Sequence, residues 1–421
     1  MRQQRLAAKY LVITFIALAI SAHAQTFSVI HTFTGGADGA TPMAGLTLDR
    51  AGNLYGTTLS GGNGVCGDEN DCGTVFRVMK RNSAWIFQLL HAFFGDGDGA
   101  FPSGRVIFGP DGALYGVTED GGGNGCFAGC GTVFKITPSA SLVCNSISCP
   151  WTETVLYAFS QDSEGKYPIG DLTFDPQGNI YGITMPATVS NTCGLGESSC
   201  GTVYQLAPAN GGWAHNVLHI FVPIQFSNGS WVPYPAGGVV LDSGGNLYGA
   251  LGLPAPGNGQ VFKLTESSGV WIESVIHSFG ENDGASPIGG LILDGAGNLY
   301  GTTSIGGANG GGTVFELTTS GSGFNILYNF SGTTGPEDTL LMDGAGNLYG
   351  TTYQEGAYGF GSVFELSPSG GGWIYTDLHD FTGGGDGANP QGSVTVDANG
   401  TLFGTASGGG TGYGVVWEIT P

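Results

Sequence analysis

The feature that most constrains this chain is a phrase that returns seven times: an apolar run, a tight turn, then Asn-Leu-Tyr-Gly or a close variant. The copies stand at 53–56, 113–116, 179–182, 246–249, 298–301, 347–350 and 401–404, spaced by 49 to 67 residues. A unit of that length cannot bury its apolar face alone, so the copies must pack on one another. Each copy divides into four strand candidates. Strand a is an alternating apolar run such as 290–294, and its turn at 294–298 has Asp and Gly-Asn hairpin chemistry. Strand b is the Asn-Leu-Tyr-Gly-Thr-Thr phrase. Strand c is Gly-Thr-Val-Phe-Glu-Leu (312–317, and in variant form 73–78), and strand d follows the pattern of 271–279. Period-two alternation with β-branched and aromatic residues makes each a strand.

The two ends of the repeat array indicate how it closes. Residues 27–33 form a strand d with no a, b or c before it, and 414–419 form a strand c with no d after it. The orphan d can complete the last unit and remove an open sheet edge. The expected fold is all-β: a seven-bladed β-propeller of four-stranded blades, closed by the N-terminal strand completing the last blade. Loops d–a and b–c then share one face and the tight a–b turns share the other. The long, variable loops lie on the d–a/b–c face, where a rigid scaffold places function.

Composition enters at three points. The first 24 residues carry Arg2, Arg5 and Lys9, then an apolar run at 11–20, then Ser-Ala-His-Ala before Gln25. The run is too short to span a bilayer, so 1–24 reads as a signal peptide and 25–421 as a single domain. Removing it leaves eight basic residues against 33 acidic ones, with none basic after Lys263. Such a surface repels phosphate backbones and anionic lipid, which argues against nucleic acid and against membrane insertion after cleavage. The eight cysteines fall in four close pairs, 66/72, 126/130, 144/149 and 193/200, read as neighbour disulfides in an exported protein.

The phrase at 294–303 followed by Gly-Gly-Thr-Val-Phe-Glu-Leu at 311–317 resembles the GloVer (Gloeo/Verruco) tandem repeat of bacterial surface or secreted proteins. The resemblance covers nearly all of 25–421. It is closest in repeats five and six and weakest in three and four, through Met185-Pro186 and 251–256. It implies an exported repeat protein and brings no established reaction and no catalytic residues. Many members end in an anchoring signal. This chain stops on the repeat at Pro421, which sets free secretion or a periplasmic location as the expectation.

Most polar candidates recur once per repeat. His31, His91, His219, His277 and His379 share one site in strand d, taken by Tyr157 and Tyr328 elsewhere, and read as packing residues; His215 stands outside the pattern. The d–a loops repeat Asp-Gly-Ala-x-Pro, with Asp38, Asp98, Asp283 and Asp386. These carboxylates are candidates to ring the channel mouth. Calcium, which takes hard oxygen ligands, is the one cofactor they suggest, against a plain turn-forming role. The strand-a aspartates (Asp49, Asp175, Asp242, Asp294, Asp343, Asp397) are placed to accept backbone N–H groups, and no two acids are marked out for glycoside chemistry. Phe101, Tyr167, Trp231, Tyr234 and Tyr353 break the small-residue rule of their segments and are the candidates for stacking on a sugar. The expected function is a monomeric, non-catalytic binding or scaffold module for a glycan or protein partner on the long-loop face. The alternative is a secreted hydrolase or lyase acting on polysaccharide through channel-mouth carboxylates.

Overall fold

A computed structural model describes residues 25–64, 66, 71–123, 126, 129–138, 150–160, 165–186, 201–222, 224–226, 229–231, 234–252, 258–280 and 282–421. Among them there is no helix; the fold is all-β and propeller-like. Each repeat makes an antiparallel sheet in the order a-b-c-d. In repeat five these strands are Ile292–Leu293, Asn298–Thr303, Thr313–Thr318 and Phe324–Asn329. Repeats three and four share one eight-stranded sheet, joined where their first strands meet in a single parallel pair, Asp171 with Gly238. The N-terminal strand Thr26–Thr32 pairs antiparallel with Val415–Thr420 and supplies the fourth strand of the last sheet.

Burial follows strand position. Strand b is covered on both sides, as at Leu54–Thr58, every residue of which is buried. Strand d is the outer strand; in Trp151–Ala158 its first four residues alternate half-buried with exposed and the rest are half-buried. The recurrent glycine of strand b is required by close approach: a Cβ at Gly301 would stand 2.6 Å from the Phe315 ring, which fills the space above it. A second glycine stands before each strand c, with positive φ except at Gly201 (+87° at Gly73), and except at Gly312 it abuts the proline that leads into strand a of the next repeat, Pro102 for Gly73. This Gly–Pro contact recurs between 131 and 168, 259 and 287, 361 and 390, and 414 and 42.

The core is divided among the junctions between repeats rather than gathered in one mass. One buried cluster joins Tyr55 and Val75 of repeat one to Leu114 and Phe134 of repeat two. Equivalent clusters join each later repeat to the next. The cluster containing Phe33, Phe403 and Val416 packs against Leu46, Leu54 and Phe76, so the end of the chain is packed on its beginning.

Candidate functional site

The recurrent polar residues come first, because the structure shows what occupies them. In repeat five, Asp294 Oδ1 accepts the backbone N–H groups of Ala296 and Asn298 at 2.9 and 2.8 Å. Its Oδ2 accepts the Asn298 amide at 2.9 Å and the Tyr300 hydroxyl at 3.3 Å. Burial opposes the carboxylate, but these hydrogen bonds outweigh it and hold Asp294 below its ordinary range. Asp49, Asp175, Asp242 and Asp343 repeat the arrangement. The Asp…Asn-Leu-Tyr phrase is therefore a turn lock.

The d–a loop aspartates are held in the same local manner. Asp38, Asp98, Asp283 and Asp386 lie 3.4, 3.2, 3.1 and 3.3 Å from His31, His91, His277 and His379 of the preceding strand d. All four also accept a backbone N–H: from Thr34 to Asp38 at 3.1 Å, from Phe94 to Asp98 at 3.1 Å, from Thr382 to Asp386 at 2.9 Å, and from Gly280 to Asp283. The structure does not bring these four carboxylates together. Among the described residues, no group of three or more His, Cys, Asp and Glu is placed to hold a metal ion.

Five of the seven strand-d rings stack on a residue of the next repeat four positions before that repeat's own ring. His31 stacks on Phe87 at 4.2 Å, Tyr157 on His215 at 4.5 Å and His277 on Phe324 at 3.9 Å. Tyr328 stacks on Tyr375 at 4.4 Å, and His379 on Phe27 of the N-terminal strand at 3.7 Å. His219 replaces stacking with a 3.2 Å ion pair to Glu273. His215, which fits no column within its own repeat, belongs to this second column.

One cavity of about 310 Å³ is lined by residues from the start of all seven a strands. Here the repeats differ. The residue after the strand-a proline is Met43, Ser103, Ile169, Ala236, Ile288, Glu337 or Gln391 in successive repeats. The Gln391 amide donates to Glu337 Oε2 at 3.0 Å, and burial pushes the Glu337 carboxyl above its ordinary range, with that hydrogen bond opposing. Two residues further along the strand, Arg105 Nη2 lies 2.9 Å from Asp171 Oδ2, and the Arg105 main-chain N–H donates to Asp171 Oδ1 at 3.0 Å. Asp338 stands where the other repeats have glycine or alanine. It is 4% exposed, accepts the Thr351 hydroxyl at 3.1 Å on Oδ2, and has no partner on Oδ1. Burial drives its carboxyl well above the usual range, with the Thr351 hydrogen bond opposing.

Among the aromatic candidates with described side chains, only Tyr234 lines this cavity, beside Met185. Phe101 and Tyr167 occupy the x position of the d–a loop at φ of 56° in both cases. Their N–H groups reach back to the carbonyls of Cys72 and Cys130 in the preceding repeat, at 2.8 and 2.9 Å. Phe101 is half-buried and packs against the core cluster between repeats one and two. Tyr167 lies beside Glu119 and Asp120; burial first, then these acids, raise its phenol pKa. The Tyr353 N–H donates to Gly335 O at 3.0 Å, and its carbonyl accepts the Asn389 amide at 3.1 Å. Trp231 ends a small hairpin, Ile224–Phe226 with Gly229–Trp231, and its side chain lies outside the described part. Sequence reasoning missed Arg105, Asp171, Glu337, Asp338 and Gln391. Asp338 replaces the glycine of the Pro-x-Gly-x start of strand a and the other four are polar residues at its x positions, a signal visible only when the repeats are aligned on that proline.

The Gloeobacter/Verrucomicrobia repeat matches residues 17–252 and 235–421. The chain belongs to this repeat family. No curated protein matches it. Among solved structures it is similar to a putative 6-phosphogluconolactonase from Bacteroides fragilis. The two are 14% identical, over 86% of this chain and 88% of that one, with a TM-score of 0.51. A putative 6-phosphogluconolactonase from Bacteroides uniformis is 10% identical over 86% and 90% of the two chains, with a TM-score of 0.50. At such identities the likeness shows the fold alone. Two disulfides, Cys66–Cys72 and Cys126–Cys130, are formed and fit an oxidising, extracytoplasmic compartment. The pairs 144/149 and 193/200, like the segment 1–24, fall outside the described residues.

Proposed function

We propose that this repeat protein is a seven-bladed propeller, released by signal cleavage after residue 24, that works as a monomeric binding module in the periplasm or outside the cell. Its ligand is a glycan or a protein surface, met on the face that carries the d–a and b–c loops, with the axial cavity at its centre. Ring closure is supported by the pairing of Thr26–Thr32 with Val415–Thr420 and by the Phe27–His379 stack. The observation that carries the binding reading is where the repeats diverge. The recurrent polar groups are spent on turns and on contacts between repeats. The non-recurrent ones, Arg105, Asp171, Glu337 and Gln391, converge on a single cavity. A scaffold with no ligand has no use for such asymmetry.

A second reading, a hydrolase or lyase acting on polysaccharide, draws on Glu337 and Asp338 standing side by side in that cavity with raised carboxyl pKa values. One assay separates the two. The mature protein is incubated with cellulose, chitin, xylan and peptidoglycan sacculi, and retention and release of new chain ends are measured together. The binding reading expects retention without release, weakened by Tyr234→Ala. Release abolished by Glu337→Gln would replace it with the enzyme reading. Absence of retention on every polymer would remove the glycan and leave a protein partner.

A further inference from the structure

Two polar pairs, Arg105–Asp171 and Glu337–Gln391, line the axial cavity, with Ser103 Oγ, Arg105 Nε and Asp338 Oδ1 buried beside them without a hydrogen-bond partner, and that limits the ligand chemistry. Arg105 is the one basic residue in the lining, and Asp171 already matches its charge through both side chain and main chain. A phosphate, sulfate or uronate would meet no unmatched cation there. A cationic ligand would have to displace the Gln391 amide from Glu337. A hydroxyl group suits both pairs as they stand, because it donates to a carboxylate oxygen while accepting from a neighbouring N–H. The remaining wall, including Met43, Ile169, Met185, Tyr234 and Ile288, is apolar and suits the C–H face of a ring. A volume of about 310 Å³ is at the small end for ligand pockets and suits one ring rather than an extended chain.

We propose that the axial cavity is a subsite for one neutral, hydroxyl-rich ring, an uncharged terminal sugar residue, gripped between the Arg105–Asp171 and Glu337–Gln391 pairs. The proposal rests on the binding-module reading and narrows its ligand. Apolar contact orients the ring; an added negative charge would be buried unmatched, and an added positive one would have to break the Glu337–Gln391 pair, so both pairs favour the neutral sugar.

The test uses the mature protein with glucose, galactose and mannose, and with glucuronate, glucose 6-phosphate and glucosamine as charged counterparts. Binding is followed by ligand-observed NMR and thermal shift at up to about 50 mM, the range suited to weak single-sugar affinities. At least one neutral hexose is expected to bind, with its charged counterparts weaker by about tenfold. Gln391→Ala should weaken the hexose by about tenfold at unchanged melting temperature. Ile288→Trp, which fills the cavity, should abolish binding and serves as the test should Gln391→Ala not fold. Charged sugars binding as tightly as neutral ones would overturn the proposal, as would binding indifferent to both variants. If no hexose binds, the proposal falls; retention on polysaccharide would then leave the broader binding reading standing, and loss of retention would remove both.

Discussion

Glu153 offers a quantitative test of how the repeats meet. It occupies the second column of the strand-d ladder, four residues before Tyr157, where most other repeats place a ring. Instead of a stacking partner it meets the Asp98 carboxylate, which already holds His91. Its Oε1 is buried with no hydrogen-bond partner. Burial first, and then Asp98, push its carboxyl up from 4.5 to about 7. Such a rise would amount to about 3.4 kcal/mol between the two protonation states in a dry site. Solvent reaches this rim position, and screening brings the expected effect to about 1.5 kcal/mol. The folded chain holds the proton more tightly than the unfolded one, so the group costs nothing below pH 4.5 and its cost grows as pH rises towards about 7. Glu153→Gln should therefore raise the melting temperature by about 2–3 °C at pH 8 and leave it unchanged at pH 4. Melting curves of both proteins at the two pH values decide the matter. Equal shifts at both, or a less stable variant at pH 8, would refute the reasoning.

Three further expectations follow from the same contacts. Phe27→Ala removes the ring stacked on His379 at the junction between first and last strands, and should cost about 2 kcal/mol by chemical denaturation; no loss would mean that the N-terminal strand does not close the ring. Asp294→Ala deletes the four acceptor contacts of one turn lock and should cost about 2–3 kcal/mol, with hydrogen exchange raised first at 294–300; unchanged exchange there would count against the lock. Burial lowers the folded pKa of His31, His277 and His379 despite their aspartates, so their stabilising contribution is complete above the unfolded value of 6.5 and is lost as pH falls through the lowered values. Denaturant titrations from pH 7.5 to 5 should show the triple His→Phe variant gaining stability relative to the unmodified protein as pH falls; a constant difference would refute the histidine contribution.

The architecture was legible in the sequence because its causes are local and repeated. Gly301 recurs since a ring from strand c sits over it, and Asp294 recurs since it locks a turn; each such cause acts within one repeat. What needed coordinates depends on how one repeat lies against the next. His215 looked isolated because its partner, Tyr157, belongs to the preceding repeat. Strand a read as five residues at 290–294, yet only Ile292–Leu293 pair as a strand, because the Gly289–Gly290 backbone turns to neighbouring first strands instead. The same first strands hide the site. Reading for aromatics picked out Phe101, whose side chain packs inward, while Glu337 and Gln391 stand 54 residues apart in sequence and acquire meaning only when the strand starts converge.

The most direct test of a ligand face centred on the axial cavity is hydrogen–deuterium exchange of the mature protein with and without whichever polysaccharide retains it. Protection is expected to be confined to the strand-a starts at 43–45, 103–105, 169–171, 234–237, 288–290, 337–339 and 391–393 and to the loops beside them. Protection along the outer d strands, with the cavity segments unchanged, would contradict it.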